Sequence, residues 1–147
     1  MMTKELDLFV ATMQDVFDFI VTRLIEQGEP SIQSGINSAR CMYRYGNLRC
    51  AIGHLIPDKA YTPKMEGKNV YSLEYAPLFK WAYAQPSPTR ALEFLASMQR
   101  AHDGDNEESQ MDKEHWLTNT FLPAVRTVAM RHGLNLNVLK ERGFEHE

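Results

Sequence analysis

The sequence predicts a mainly α fold, a single-domain helical bundle with a small β-hairpin near residues 40–52. Three observations predict it. Apolar residues recur at steps of three and four over long segments, proline and glycine signals bound those segments, and the helical period gives way to alternation around Gly46-Asn47. A chain of 147 residues with 44% apolar content is the size of one ordinary domain, so residues 1–147 are read as one unit around one core.

From Thr3 to Gln27, the residues Leu6, Phe9, Val10, Met13, Val16, Phe17, Ile20, Val21, Leu24 and Ile25 line one face of a long amphipathic helix. Gly28 followed by Glu29-Pro30 supplies its stop. Residues 31–39 lack charge and period and read as a loop or a short weak helix. Between Asn69 and Tyr83, the aromatics Tyr71, Tyr75, Phe79, Trp81 and Tyr83 crowd with Leu73 and Leu78, in a segment that should turn helical after Pro77 and bury one side. These rings show no exposed alternation with basic residues, so they read as core rather than as a base-stacking platform. Ser87-Pro88 starts the next helix, a capping hydroxyl followed by proline at the first helical position, and the apolar stripe from Ala91 to Ala101 carries it to about His102. An acidic link, Asp103 to Glu108, leads to the last major helix. Asp112 caps it, Trp116, Phe121, Val125 and Val128 mark its apolar face, Pro123 should kink it, and Gly133 ends it with His132 beside the terminal carbonyls.

Gly46-Asn47 fits a two-residue hairpin loop with glycine first, which sets a register: Arg44 opposite Arg49, Tyr43 opposite Cys50, Met42 opposite Ala51 and Cys41 opposite Ile52. Alternation then places Cys41, Tyr43, Tyr45, Leu48, Cys50 and Ile52 on a core face, and Arg40, Met42, Arg44, Arg49 and Ala51 on the other. The cysteines fall diagonally, roughly 7 to 8 Å apart and beyond the usual disulfide span, and read as buried thiols. Two directly opposed arginines with a third nearby need a counter-charge. It is either internal, from carboxylates of the first helix or the 103–108 link, or external, from a bound phosphate, a nucleic-acid backbone or an acidic partner; the internal source is the commoner outcome.

Beyond the hairpin, Ala51 to Ile56 has room for a helical turn before Pro57-Asp58. Cys50 would then sit at a helix N-terminus with His54 one turn on, an arrangement that favours a thiolate. Cys50 and His54 are therefore the weak catalytic candidates. No oxyanion hole or orienting third group accompanies them, and a buried thiol is the more common fate. A zinc site needs four ligands, whereas Cys41, Cys50 and His54 offer three, with His102 or His115 as a remote fourth and no Cys-x-x-Cys pair. The acidic link puts Asp103, Asp105, Glu107 and Ser109 on alternating calcium-loop positions, but Glu108 where that loop needs glycine. No glycine-rich phosphate loop is present. No cofactor and no metal are expected.

A net charge of -3 and a pI near 6.0 argue against a globally basic nucleic-acid binder, while leaving room for a local basic surface. No apolar run approaches the roughly 20 residues of a membrane span, and the acidic start lacks the features of a secretory signal, so a cytoplasmic protein without membrane contact is expected.

The run Cys41-Met-Tyr-Arg44, then Gly46, Arg49-Cys-Ala-Ile-Gly-His-Leu-Ile-Pro-Asp58, Tyr61 and Met65-Glu-Gly67 resembles a family of small uncharacterised proteins encoded by bacteria and especially by bacteriophages and prophages. Met98-Gln-Arg-Ala-His-Asp103 and Arg131-His-Gly-Leu134 look like the C-terminal half of the same family. The resemblance implies provenance rather than an activity, a cofactor or a catalytic residue. It implies, by analogy, a small phage-type accessory protein that binds a host macromolecule, protein or nucleic acid, and inhibits host machinery or defence. The expected contact surface is the basic face of Arg40, Arg44 and Arg49, with Lys59 and Lys64 beside it. The alternative is an enzyme or small-molecule binder that handles an anionic or phosphorylated ligand through Cys50, His54 and the same arginines; the sequence leans away from an enzyme without deciding the matter. Homodimerisation through the long first helix stays open.

Overall fold

Among the residues described by the computed structural model (6–34, 39–104 and 114–144), helices predominate. The α-helices are α1 (Met13–Gln27), α2 (Ala76–Tyr83), α3 (Pro88–Asp103), α4 (Leu122–His132) and α5 (Asn137–Glu141). Two small antiparallel ribbons lie between α1 and α2: β1 (Ile32–Ser34) with β2 (Ala39–Cys41), and β3 (Arg44–Tyr45) with β4 (Leu48–Arg49). No helix among the described residues is long and apolar enough to cross a membrane.

Helix α1 begins ten residues later than its apolar period suggests. Thr12 and Asp15 form a reciprocal cap, the Thr12 hydroxyl accepting from Asp15 N at 3.0 Å and the Asp15 carboxylate accepting from Thr12 N at 2.9 Å. Leu6, Phe9 and Val10 thus precede the helix, and Phe9 and Val10 stand exposed. Their spacing continues the stripe by coincidence of period, but the cap decides where the helix starts.

Residues 32–34 form a strand instead of the expected loop or weak helix, with Ile32 paired to Cys41. A three-residue strand is too short to show alternation. The tight hairpin has the expected register, Arg44 opposite Arg49 and Tyr45 opposite Leu48, around Gly46 at φ 63°. The ladder extends only to a 3.3 Å bond from Cys50 N to Tyr43 O. Met42 and Cys41 then leave to join β1, Met42 N donating to Ser31 O at 2.9 Å, while Ala51 and Ile52 turn away into a 3₁₀ turn, Gly53–Leu55. The expected faces are accordingly broken. Tyr43, Cys50 and Ile52 are core, but so is Ala51, and Tyr45 is exposed. The 53–55 turn lies against the hairpin so closely that a Cβ on Gly53 would stand 2.1 Å from Tyr43 O, which excludes any other residue there.

Two further 3₁₀ turns, Pro63–Met65 and Val70–Ser72, lead into α2, which carries Pro77 in its first turn. Ser87 caps α3 as expected, its hydroxyl accepting from Arg90 N at 3.3 Å. Pro123 does more than kink its helix. Residues Trp116–Phe121 form a π-helical turn in which Leu122 N reaches back to Leu117 O, and regular α geometry begins with α4. Proline has no N–H to continue an α ladder, and the wider turn accommodates that gap. The Asp112 cap, and the link from Asp105 to Glu108 with its calcium-loop pattern, lie outside the described residues.

Buried apolar side chains from Ala11 to Leu139 form a single cluster. Helix α3 packs on α2, α4 and the π-helical turn, whereas α1 packs on α5 and the 53–55 turn. Two indoles anchor the polar seams: Trp81 Nε1 donates to Ala11 O at 2.9 Å and Trp116 Nε1 to His102 O at 2.8 Å. His132 meets Phe94 edge-on at 5.6 Å, with its buried Nδ1 unpartnered, rather than turning to the carbonyls that end α4.

Candidate functional site

Three places merit chemical scrutiny, and the first is the arginine pair. Arg44 and Arg49, brought face to face by the hairpin, both reach one oxygen of Asp58: Arg44 Nη1 at 2.8 Å and Arg49 Nη2 at 2.5 Å. Among the described residues their counter-charge is internal, yet is none of the α1 carboxylates. It comes from the turn after Pro57. Arg44 is further held by Nη2 donating to Ile56 O at 2.7 Å and by the Tyr61 ring, 4.9 Å below its guanidinium. Glu66 ties down the strand beneath, accepting from Tyr43 N at 2.9 Å, Arg44 N at 3.1 Å and Tyr61 Oη at 2.7 Å. With its side chain 15% exposed, Arg44 is a component of the fold more than of an open basic face. Lys59 and Lys64 are exposed on neighbouring turns, and Arg40 is described through its backbone, paired with Gln33.

The second place is the Cys50–His54 pair, which the fold does not arrange as nucleophile and base. Cys50 is fully buried, and its sulfur accepts from Gly53 N at 3.3 Å. Burial, with the Asp103 charge adding to it, pushes this thiol well above its ordinary range, the opposite of activation. His54 Nε2 lies 3.0 Å from Gln27 Oε1, which also accepts from Arg49 N at 3.0 Å. Since that amide oxygen can only accept, His54 carries its proton on Nε2. Burial, followed by the charges of Arg49, Arg23 and Arg44, lowers the His54 pKa to about 3.

The third place was not legible in the sequence. Cys41, His102 and Asp103 bring their ligand atoms within 4.8 Å of one another. Here Cys41 has joined His102 without Cys50 or His54, a different set from the one the spacing offered. The buried His102 accepts from Ser31 N at Nε2, 2.8 Å, so its proton sits on Nδ1 and points at Asp103 Oδ1, 2.8 Å away. The same oxygen accepts from Gln99 Nε2 at 2.7 Å. A metal on Nδ1 would force the imidazole proton onto Nε2, against the Ser31 N–H. Burial and the Asp103 carboxylate push Cys41 up to about 12, so in the metal-free protein its sulfur is a thiol donor to this network. This cluster is a closed hydrogen-bond network that ties β2 and the entry to β1 onto the end of α3.

A groove of about 890 Å³ runs along α2 and the turn before it, lined by Tyr71, Tyr75, Phe79 and Tyr83 with Glu74 and Lys80 among its walls. Only part of the aromatic cluster is core. Leu73, Leu78, Trp81 and Ala82 face inward, while Tyr71 and Tyr83 are 54% and 66% exposed. The lining rings stand four residues apart at 71, 75, 79 and 83, but only Phe79 and Tyr83 lie on α2: Tyr71 belongs to the Val70–Ser72 turn, and Tyr75 is the extended residue before the helix, half-buried against the core.

No family model, no curated protein and no solved structure matches the chain.

Proposed function

We propose that this chain is a binding protein that engages a polypeptide segment of a partner through the groove along α2. The observation that carries this reading is the aromatic lining of that groove, the exposed Tyr71 and Tyr83 with the half-buried Tyr75 and Phe79 between them. Isolated exposed apolar residues need no explanation, but a contiguous concave patch of tyrosines has the composition of binding hot spots, a ring for burial with a hydroxyl for a backbone carbonyl. A protein partner is favoured over nucleic acid by charge. Lys80 is the one cation among the lining residues, with Glu74 opposing it, and none of Arg40, Arg44, Arg49, Lys59 and Lys64 lines the groove. Catalysis through Cys50 and His54 loses support, because one group is a buried thiol and the other is spent on Gln27. The resemblance to phage and prophage proteins supplies the setting for this reading: an accessory protein acting on a host protein, to the detriment of host machinery or defence.

Selection of random peptides on the wild-type protein, with counter-selection on a Tyr71→Ala/Tyr83→Ala variant, tests the proposal. Selected peptides should lose at least ~30-fold in affinity on the variant, the scale of two interface tyrosines, and be indifferent to Arg49→Glu. Peptides that bind both forms equally would remove the groove from consideration. Duplex or single-stranded DNA binding that is abolished by the arginine change would move the function to nucleic acid.

A further inference from the structure

We propose that Arg44 and Arg49 form a binding site for a phosphoryl-type oxyanion, and that Asp58 is its built-in competitor. The site is independent of the α2 groove. Both guanidinium groups converge on a single oxygen, Asp58 Oδ1, so among the described residues two positive charges share one carboxylate. The neighbouring carboxylate, Glu66, is engaged with neutral donors, the N–H groups of Tyr43 and Arg44 and the Tyr61 hydroxyl. The Arg44 Nε is buried without a hydrogen-bond partner, and so is the Nε of Arg23, whose guanidinium lies over the Phe19 ring. A buried guanidinium donor without a protein acceptor leaves hydrogen-bonding capacity for an added acceptor. The His54 imidazole lies in the same positive field: its pKa is lowered first by burial and then by the charges of Arg49, Arg23 and Arg44. Lys59 and Lys64, exposed on the flanking turns, add to the positive side.

The two sides of the clasp differ in how firmly they are held. Arg44 stays in place without Asp58, because Ile56 O and the Tyr61 ring fix it. Arg49 is carried on β4, whose backbone N–H and carbonyl are both bonded to Gln27. Asp58, by contrast, sits on a turn with its side chain 76% exposed, so swinging out restores its hydration at little cost. A tetrahedral dianion supplies more oxygens and one more charge than the carboxylate it displaces, and matches the fork geometry of paired guanidiniums. The Asp58 carboxylate stands where an oxygen of the incoming group would stand.

The test is titration of wild type and Asp58→Asn with inorganic phosphate, O-phosphoserine and acetate, followed through the backbone amide signals of residues 44–49. Removing the competing carboxylate should tighten phosphate or O-phosphoserine binding by at least about tenfold, and adding Arg49→Gln should abolish the gain. Tighter binding of O-phosphoserine assigns an esterified group; tighter binding of phosphate assigns the free anion. The proposal fails if Asp58→Asn binds no more tightly than wild type, if the gain survives Arg49→Gln, or if acetate does as well as phosphate. Should Asp58→Asn not fold, wild type decides: saturable shifts at Arg44 and Arg49 support the site, and none at tens of millimolar phosphate overturn it.

Discussion

At the hairpin corner the charged groups look inward: Arg44 and Arg49 reach Asp58, Glu66 bridges three donors, and Gln27 joins α1 to both β4 and His54. Along α2 the aromatic groups look outward, although a ring has far less reason than a guanidinium to face water. Residue type thus misleads in both places, and the difference teaches what to trust. A charged side chain on a short strand is held wherever a partner lies within reach, and an apolar one is buried only if its helix face meets another element. Glu66 and Gln27 in the corner therefore serve stability, the Arg44–Arg49–Asp58 clasp is closed by the fold's own carboxylate, and the exposed tyrosines of the groove are free to serve a partner.

That contrast can be broken by substitution. The largest effect is expected from Gly53→Ala, whose new Cβ meets the Tyr43 carbonyl with no flexible atom to yield. It should cost about 4 kcal/mol or more and abolish a cooperative urea transition; a near-normal midpoint would show that the 53–55 turn is not locked to the hairpin. Next comes acid sensitivity. His54 has its pKa lowered from 6.5 to about 3, so below pH 6.5 the unfolded chain takes up a proton that the folded one refuses. Stability is therefore undiminished by this group above pH 6.5 and falls as pH drops toward 3, by up to about 1.4 kcal/mol per pH unit. His54→Gln, which keeps a donor for Gln27, should flatten denaturation midpoints measured from pH 7 to 4. His132, lowered chiefly by burial, leaves a weaker slope of the same sign, and Asp18, raised chiefly by burial, opposes it.

Glu66→Gln weakens the acceptor of two backbone N–H groups and the Tyr61 hydroxyl, and should cost about 1–3 kcal/mol with an unchanged denaturant slope. The smallest effect on stability belongs to the groove. Tyr71→Ala and Tyr83→Ala should each stay within about 0.5 kcal/mol of wild type, being exposed and away from core packing. If either tyrosine change rivals Glu66→Gln in thermal denaturation, the groove is a structural seam and the contrast between the two regions disappears.

Much of the helical framework was legible in the residues themselves. The stop at Gly28, the Ser87 cap and the end at Gly133 are local devices, complete within a few positions of chain, and each appears where it was expected. The Gly46-Asn47 reversal belongs with them, and with it the opposition of Arg44 to Arg49. Legibility fails where a choice depends on a distant partner. The Thr12–Asp15 cap outcompeted a periodicity that ran on to Leu6. The second ribbon took Cys41 and Met42 from the hairpin, because Ser31 and Ile32 offered their backbone groups from the other side.

The amino-acid order by itself determined the helical class, most helix ends and the tight reversal, since short-range sterics, capping and hydrophobic period act along the chain. Only the tertiary structure decided which carboxylate neutralises the arginines, that the His102 ring lies beside Cys41, and that Tyr71 and Tyr83 remain outside the core. Those outcomes turn on the approach of segments far apart in sequence, and burial, counter-charge and hydrogen-bond partner are properties of that approach rather than of any residue alone.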